Sequence, residues 1–151
     1  DTVRPITTWE VDRKPRPPEG TTHVVIDTPA GLEGVLLNVM MRVANKIIVP
    51  LQPSVFDIFA TRAFLDQLAQ HSQAGNIQVG IVGMRVDERT IAADKLHEFV
   101  DRLGLPVLGY LRDTQNYVHL AARGLTLFDV APGRVEKDLE QWQAICRWLE
   151  Q

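Results

Sequence analysis

The chain has 151 residues, 45% of them hydrophobic and 23% charged, with a net charge of −3. That length supports one domain with its own core, the composition excludes a disordered or collagen-like chain, and the weak negative charge gives no overall footprint for nucleic acid, so DNA contact would need a local basic patch, a partner or an oligomer. The single cysteine, Cys146, excludes an internal disulfide and fits a reducing compartment, and with no signal peptide and no apolar run near the ~20 residues needed to span a bilayer the expectation is a cytoplasmic protein away from membranes.

Residues 1–21 form a separate lead, because Lys14-Pro15-Arg16-Pro17-Pro18-Glu19-Gly20 is basic and proline-rich, and proline locks φ and biases its predecessor away from helix. Residues 22–151 then alternate regularly. His23-Val24-Val25-Ile26-Asp27 is a β-branched run that predicts a buried strand, with His23 at the core edge, broken by Thr28-Pro29-Ala30-Gly31. Val35, Leu36, Val39, Met40 and Val43 repeat with helical period over residues 32–44, and Lys46-Ile47-Ile48-Val49-Pro50-Leu51 is a second strand. After Gln52-Pro53, Ser54 is a plausible N-cap for a helix over residues 55–71, with Ile58, Ala60, Phe64, Leu65 and Leu68 as its apolar face.

A third strand is predicted over residues 77–84, then a helix from Ile91 to Leu103 stopped by Gly104. A fourth strand runs over residues 106–111, followed by a helix to about Arg123 and a short segment at residues 125–128. A last helix over residues 136–150 places Leu139, Trp142, Ile145, Cys146 and Leu149 on one side, with Trp142 and Trp148 read as packing residues. This order predicts an α/β fold with a mainly parallel sheet and flanking helices. Ligands of such sheets bind beyond the strands' carboxyl ends, which directs attention to the loops at residues 28–31, 52–54, 85–90 and 112–116.

Asp27 has two readings. A carboxylate at a strand's carboxyl end can hold a hydrated Mg²⁺ beside phosphate, and Gly31 can present an unhindered N–H to a terminal phosphate; equally, Asp27 can cap the turn that follows it. Arg112 and Asp113 are read as a local ion pair at a strand end. Arg85, Arg89 and Arg112 are read either as a basic cluster or as solvated surface charges. His71, His97 and His119 have no metal-ligand spacing, and Ser54 has no nucleophile elbow around it.

Val24-Val25-Ile26-Asp27-Thr28-Pro29-Ala30-Gly31-Leu32, then Ile48-Val49-Pro50-Leu51-Gln52-Pro53, then Gly80-Ile81-Val82-Gly83-Met84-Arg85-Val86-Asp87, then Leu108-Gly109-Tyr110-Leu111-Arg112-Asp113, together resemble the ParA/MinD family of deviant Walker A, SIMIBI-type ATPases. The resemblance implies a P-loop NTPase-like domain, present from about Thr22 onward as its C-terminal part. It implies that Asp27 is the Walker B aspartate, a metal ligand and catalytic with Gly31, and that Thr28, Pro29, Ala30 and Gly31 form switch II. It implies that Met84 and Arg85, with Leu111, Arg112 and Asp113, border the base, and that Gln52, Pro53 and Ser54 lie near a nucleotide-sandwich dimer face. ATP and Mg²⁺ are the implied cofactors, and plasmid or chromosome partitioning, or positioning of a cellular assembly, is the implied function.

The sequence departs from that family where it matters most. It contains no Gly-x-x-x-x-Gly-Lys-Ser/Thr loop and no Lys-Gly-Gly start, so nothing in it cradles phosphate through backbone N–H groups and lysines. Met84 and Leu111 stand where the family often has Asn and Pro, and a thioether cannot supply the donor and acceptor of an amide. The expectation is therefore a truncated or degenerate form that neither binds ATP tightly nor hydrolyses it alone. A family sheet lacking its P-loop strand would leave apolar surface open and favour self-association. The resemblance implies that an intact ATP-bound form binds DNA nonspecifically. The alternative is a non-catalytic module that keeps the scaffold and binds a protein partner through its helices.

Overall fold

Three of the four predicted strands form: β1 (Lys46–Leu51), β2 (Gln78–Val86) and β3 (Val107–Arg112). They make one parallel sheet in the order β1-β2-β3. The computed structural model describes residues 17–29 and 31–151; Ala30 and residues 1–16, most of the expected proline-rich lead, lie outside the described residues. Parallel neighbours need a crossover, supplied by α2 (Val55–Ala69) between β1 and β2 and by α3 (Ile91–Leu103) between β2 and β3. Helix α1 (Gly34–Val43) precedes the sheet, and α4 (Gln115–Ala121) and α5 (Glu136–Glu150) follow it.

Local chemistry sets the ends of α3. The Thr90 hydroxyl accepts the Ala93 N–H at 3.2 Å, and Gly104 leaves the helix in the left-handed conformation at φ 66°. Ser54 does occupy the N-cap of α2, but its hydroxyl makes no capping hydrogen bond.

The sheet is packed on both faces. On one, Leu37 and Met41 of α1, Leu65 and Leu68 of α2, and Ala93, Leu96 and Val100 of α3 close over Val49, Leu51, Ile81 and Val86. On the other, Ile145 of α5 packs on Val82, Leu108 and Leu111, flanked by Met84, Trp142 and Trp148, so the two tryptophans do serve packing. The burial pattern of α2 replaces the expected Ala60 with Thr61, which is buried while Ala60 is exposed.

Two expectations are corrected. The run from His23 to Asp27 is not a strand: residues 21–29 have no regular secondary structure, Val25 is 95% exposed, and His23 is exposed, with its ring Nδ1 3.0 Å from the adjacent Thr22 hydroxyl. A strand persists only where its N–H and C=O groups find a ladder partner, and none of the described residues pairs with this one. The second correction is the phase of α5. Its inward stripe runs through Asp138, Gln141, Trp142, Ile145 and Trp148, while Leu149 is 39% exposed. Asp138 is completely buried, a position that apolar periodicity assigns to the neighbouring Leu139.

The sheet's two edges are β1 and β3, and the β1 edge has no backbone partner among the described residues. The Gln78 N–H donates to the Asn45 carbonyl at 3.0 Å, and Lys46 stands opposite Gln78. In a parallel ladder this directs the N–H and C=O groups of Ile47, Val49 and Leu51 to β2, and those of Lys46 and Ile48, with the Pro50 carbonyl, to the free edge. Pro50, which has no N–H to give, thus stands where proline is tolerated in a sheet.

Candidate functional site

Among the described residues, the carboxyl ends of the three strands bring together Gln52–Ser54, Met84–Asp87 and Arg112–Asp113. β2 continues two residues past its predicted end because it carries an irregularity between Gly83 and Val86. Arg85 sits in that irregularity at φ 53°, a left-handed conformation for a residue with a side chain. The result aims the Arg85 guanidinium across the sheet end, where Nε donates to Asp113 Oδ1 at 3.2 Å. Met84 turns the other way and packs beside the α5 cluster.

Arg112 does not pair with its neighbour Asp113. At the end of β3 the Arg112 side chain reaches α5 and meets the buried Asp138, with Nε at 2.5 Å from Oδ1 and Nη2 at 3.2 Å from Oδ2. Asn116 Nδ2 donates to the same carboxylate at 2.6 Å, and the Arg112 backbone N–H donates to Gln141 Oε1 at 3.0 Å. Trp142 Nε1 extends the network to the Tyr117 hydroxyl at 3.1 Å. The Arg112 guanidinium holds the Asp138 carboxyl below the usual carboxylate range, against the opposing effect of its burial. Burial raises the Tyr117 phenol. Sequence reading missed Asp138, Asn116 and Gln141; the one signal for them was an acidic residue on the inward phase of an otherwise apolar helix stripe.

The third arginine, Arg89, is also engaged. It grips Asp87 through Nε at 2.9 Å and Nη2 at 2.8 Å, which lowers the Asp87 carboxyl to about 2. Arg85, Arg89 and Arg112 therefore each face a carboxylate rather than forming an open basic cluster.

Asp27 lies on an exposed irregular segment, and Asp27, Thr28, Pro29 and Gly31 have no hydrogen bond or ion pair to Arg85, Arg112 or Asp113 among the described residues. No group of three or more His, Cys, Asp or Glu side chains could hold a metal ion among the described residues. The arginines at the strand ends are thus each engaged by a carboxylate of the chain, and none of these carboxylates is Asp27. Two hollows lie elsewhere. One is an apolar groove of about 610 Å³ beside α5, lined by Phe128, Leu139, Trp142 and Cys146; the other is a cleft of about 360 Å³ near the start of β2, lined by Met41, Leu65, Ile77 and Leu105 among others. Among the described residues, no helix is long and apolar enough to cross a membrane.

The strained Arg85 backbone gives a measurable expectation. A left-handed conformation costs a side-chain-bearing residue on the order of 1 kcal/mol, and an exposed ion pair returns only about 0–1 kcal/mol. Arg85→Gly is expected to leave stability within about 0.5 kcal/mol of the parent or to raise it, as read by urea denaturation. A loss above about 1 kcal/mol would show that the Arg85–Asp113 pair is a structural clamp. Compared with protein-family models and with curated proteins, the chain matches none.

Proposed function

We propose that this chain is the rear part of a ParA/MinD-type ATPase domain, whose intact form binds ATP·Mg²⁺ between two subunits in the cytoplasm and changes its affinity for a partner or for DNA with nucleotide state. The observation that supports this reading is the order of its parts. A parallel α/β sheet places the Gln52–Ser54, Arg85–Asp87 and Arg112–Asp113 loops at successive strand ends, in the sequence order of the resembling motifs. In this reading Asp27 is the metal ligand, Thr28, Pro29, Ala30 and Gly31 sense the terminal phosphate, and Met84, Arg85, Arg112 and Asp113 border the base. The phosphate-binding loop has to be supplied by residues that this sequence does not contain.

The test is ATP turnover after a Gly- and Lys-rich phosphate-binding strand–loop–helix is joined ahead of Thr22. Turnover is expected, and Asp27→Ala is expected to reduce it by more than the 10–100-fold typical of residues that only support a metal ligand. Turnover that is absent, or indifferent to Asp27, would sink the enzymatic reading. A second reading, a protein-binding module on the same scaffold, is favoured by one observation. Phe56 is 86% exposed and Phe59 70% exposed on α2 beside an exposed Val55, an apolar patch of the kind that marks interaction sites.

A further inference from the structure

The outer side of β3, one of the sheet's two edges, is partly taken by the Gln141 side chain, which accepts the Arg112 N–H at 3.0 Å. Two further β features are unsatisfied, and they are complementary. One is the free edge of β1, where the N–H and C=O groups of Lys46 and Ile48 point away from β2. The other is the segment from His23 to Asp27, which has strand composition, exposed valines and no backbone partner among the described residues. We infer that two copies of this chain associate by exchanging these segments, the run His23–Asp27 of each copy pairing with the β1 edge of the other.

Several observations select this occupant. Edge strands are commonly protected by charge and by proline. Here the charge is turned away: Lys46 Nζ donates to the Trp148 and Leu149 carbonyls at 2.7 and 3.0 Å and lies 5.2 Å from the centre of the Trp148 ring, capping the end of α5. Pro50 silences only the far end, which leaves a short open stretch that suits a segment of five residues, about 17 Å when extended. Ile48 is 37% exposed on the strand itself, and Val35 is 80% exposed on the helix between the segment and the strand. These side chains give Val24 and Val25 an apolar counterpart. Leu32 packs against the main core and anchors the segment's base near α1. A reciprocal exchange uses each feature once, and this closes the assembly as a two-fold dimer. A contact between two β1 edges would leave both segments unpaired. Two exchanged strands with their flanking side chains would bury on the order of 1,200 Å², at the low end of stable interfaces. The inference does not rest on the nucleotide reading, because neither feature involves a phosphate site.

The test uses the full chain in sedimentation equilibrium without nucleotide. The expected mass is twice the chain's 17.0 kDa. Val25→Pro removes a donor from the segment, and Ile48→Pro removes an N–H that the β2 ladder does not use; each is expected to weaken dimerisation at least tenfold while circular dichroism stays unchanged. In case a proline disturbs folding, a second measurement stands beside these. Chains carrying Cys146→Ser with Val25→Cys are mixed with chains carrying Cys146→Ser with Ile48→Cys. Oxidation is expected to give the mixed disulfide dimer in preference to either like pair. A monomer at all concentrations would overturn the inference. So would a dimer that ignores both prolines and gives no mixed disulfide, or a doubly substituted chain (Val25→Cys with Ile48→Cys) that cross-links within itself.

Discussion

Asp138→Ala is expected to destabilise the chain by about 3 kcal/mol, at the lower end of the cost of breaking a buried ion pair. The carboxylate is fully buried and receives two donors from Arg112 and one from Asn116. It sits in the first turn of α5, where the helix dipole favours negative charge. Removing it leaves the Asn116 amide and the Arg112 guanidinium without their acceptor. The Arg112 side chain remains 40% exposed, so water relieves part of the penalty, which places the estimate at the low end. Asp138→Asn keeps the shape and loses the charge, and should cost less. Equilibrium urea denaturation at neutral pH measures both. The same pair sets a pH signature. The Asp138 carboxyl is depressed in the folded chain, chiefly by Arg112, so its contribution is fully present above the unfolded value of about 3.9 and is lost as pH falls through the folded value. The stability gap between the parent and Asp138→Asn should be constant above about pH 5 and should shrink below about pH 4. A gap independent of pH down to pH 3 would mean that the charge contributes nothing.

The same network shows where sequence reading reaches its limit. Alternating apolar runs and helical periods place β1, β2, β3 and all of α3 and α5 close to where they form, because those signals report a residue's own environment. Pairing is a different matter. Arg112 and Asp113 are adjacent in sequence, yet Asp113 takes Arg85 and Arg112 takes Asp138, 26 residues away. The phase of α5 slips for the same reason: Asp138 is polar by composition but buried because Arg112 and Asn116 wait for it. The run His23–Asp27 has the composition of a buried strand, but a strand's existence depends on a neighbour that local composition cannot supply. At the candidate site, the loops at the strand ends were legible from the alternation alone. The Met84–Arg85 irregularity was not, since the residue that takes the left-handed conformation, Arg85, carries a side chain.

Gly83 stands just before that irregularity, and Gly83→Ala is expected to cost about 2–3 kcal/mol, near the top of the range for overpacking. A β-carbon on Gly83 would overlap Tyr110 Cδ1 and lie 3.0 Å from its Cε1 and 3.2 Å from Val86 Cγ2. The tyrosine cannot swing clear at no cost. Its ring meets the His97 ring edge to face at 4.4 Å, and it packs against the main core. Gly83 pairs with Leu51 on one side and Tyr110 on the other, so the central strand is gripped from both neighbours and the added methyl must move one of them. Tyr110→Ala alone should also destabilise, by opening a cavity. The double variant should then be more stable than the sum of the two losses predicts, by at least about 1 kcal/mol, because the space vacated by the ring accepts the new methyl. Thermal and urea unfolding of the four chains give the cycle. Strict additivity would mean that the ring is not what excludes a side chain at position 83. A favourable coupling would locate the constraint in the contact between position 83 and the Tyr110 ring, one residue before Met84 and two before the strained Arg85.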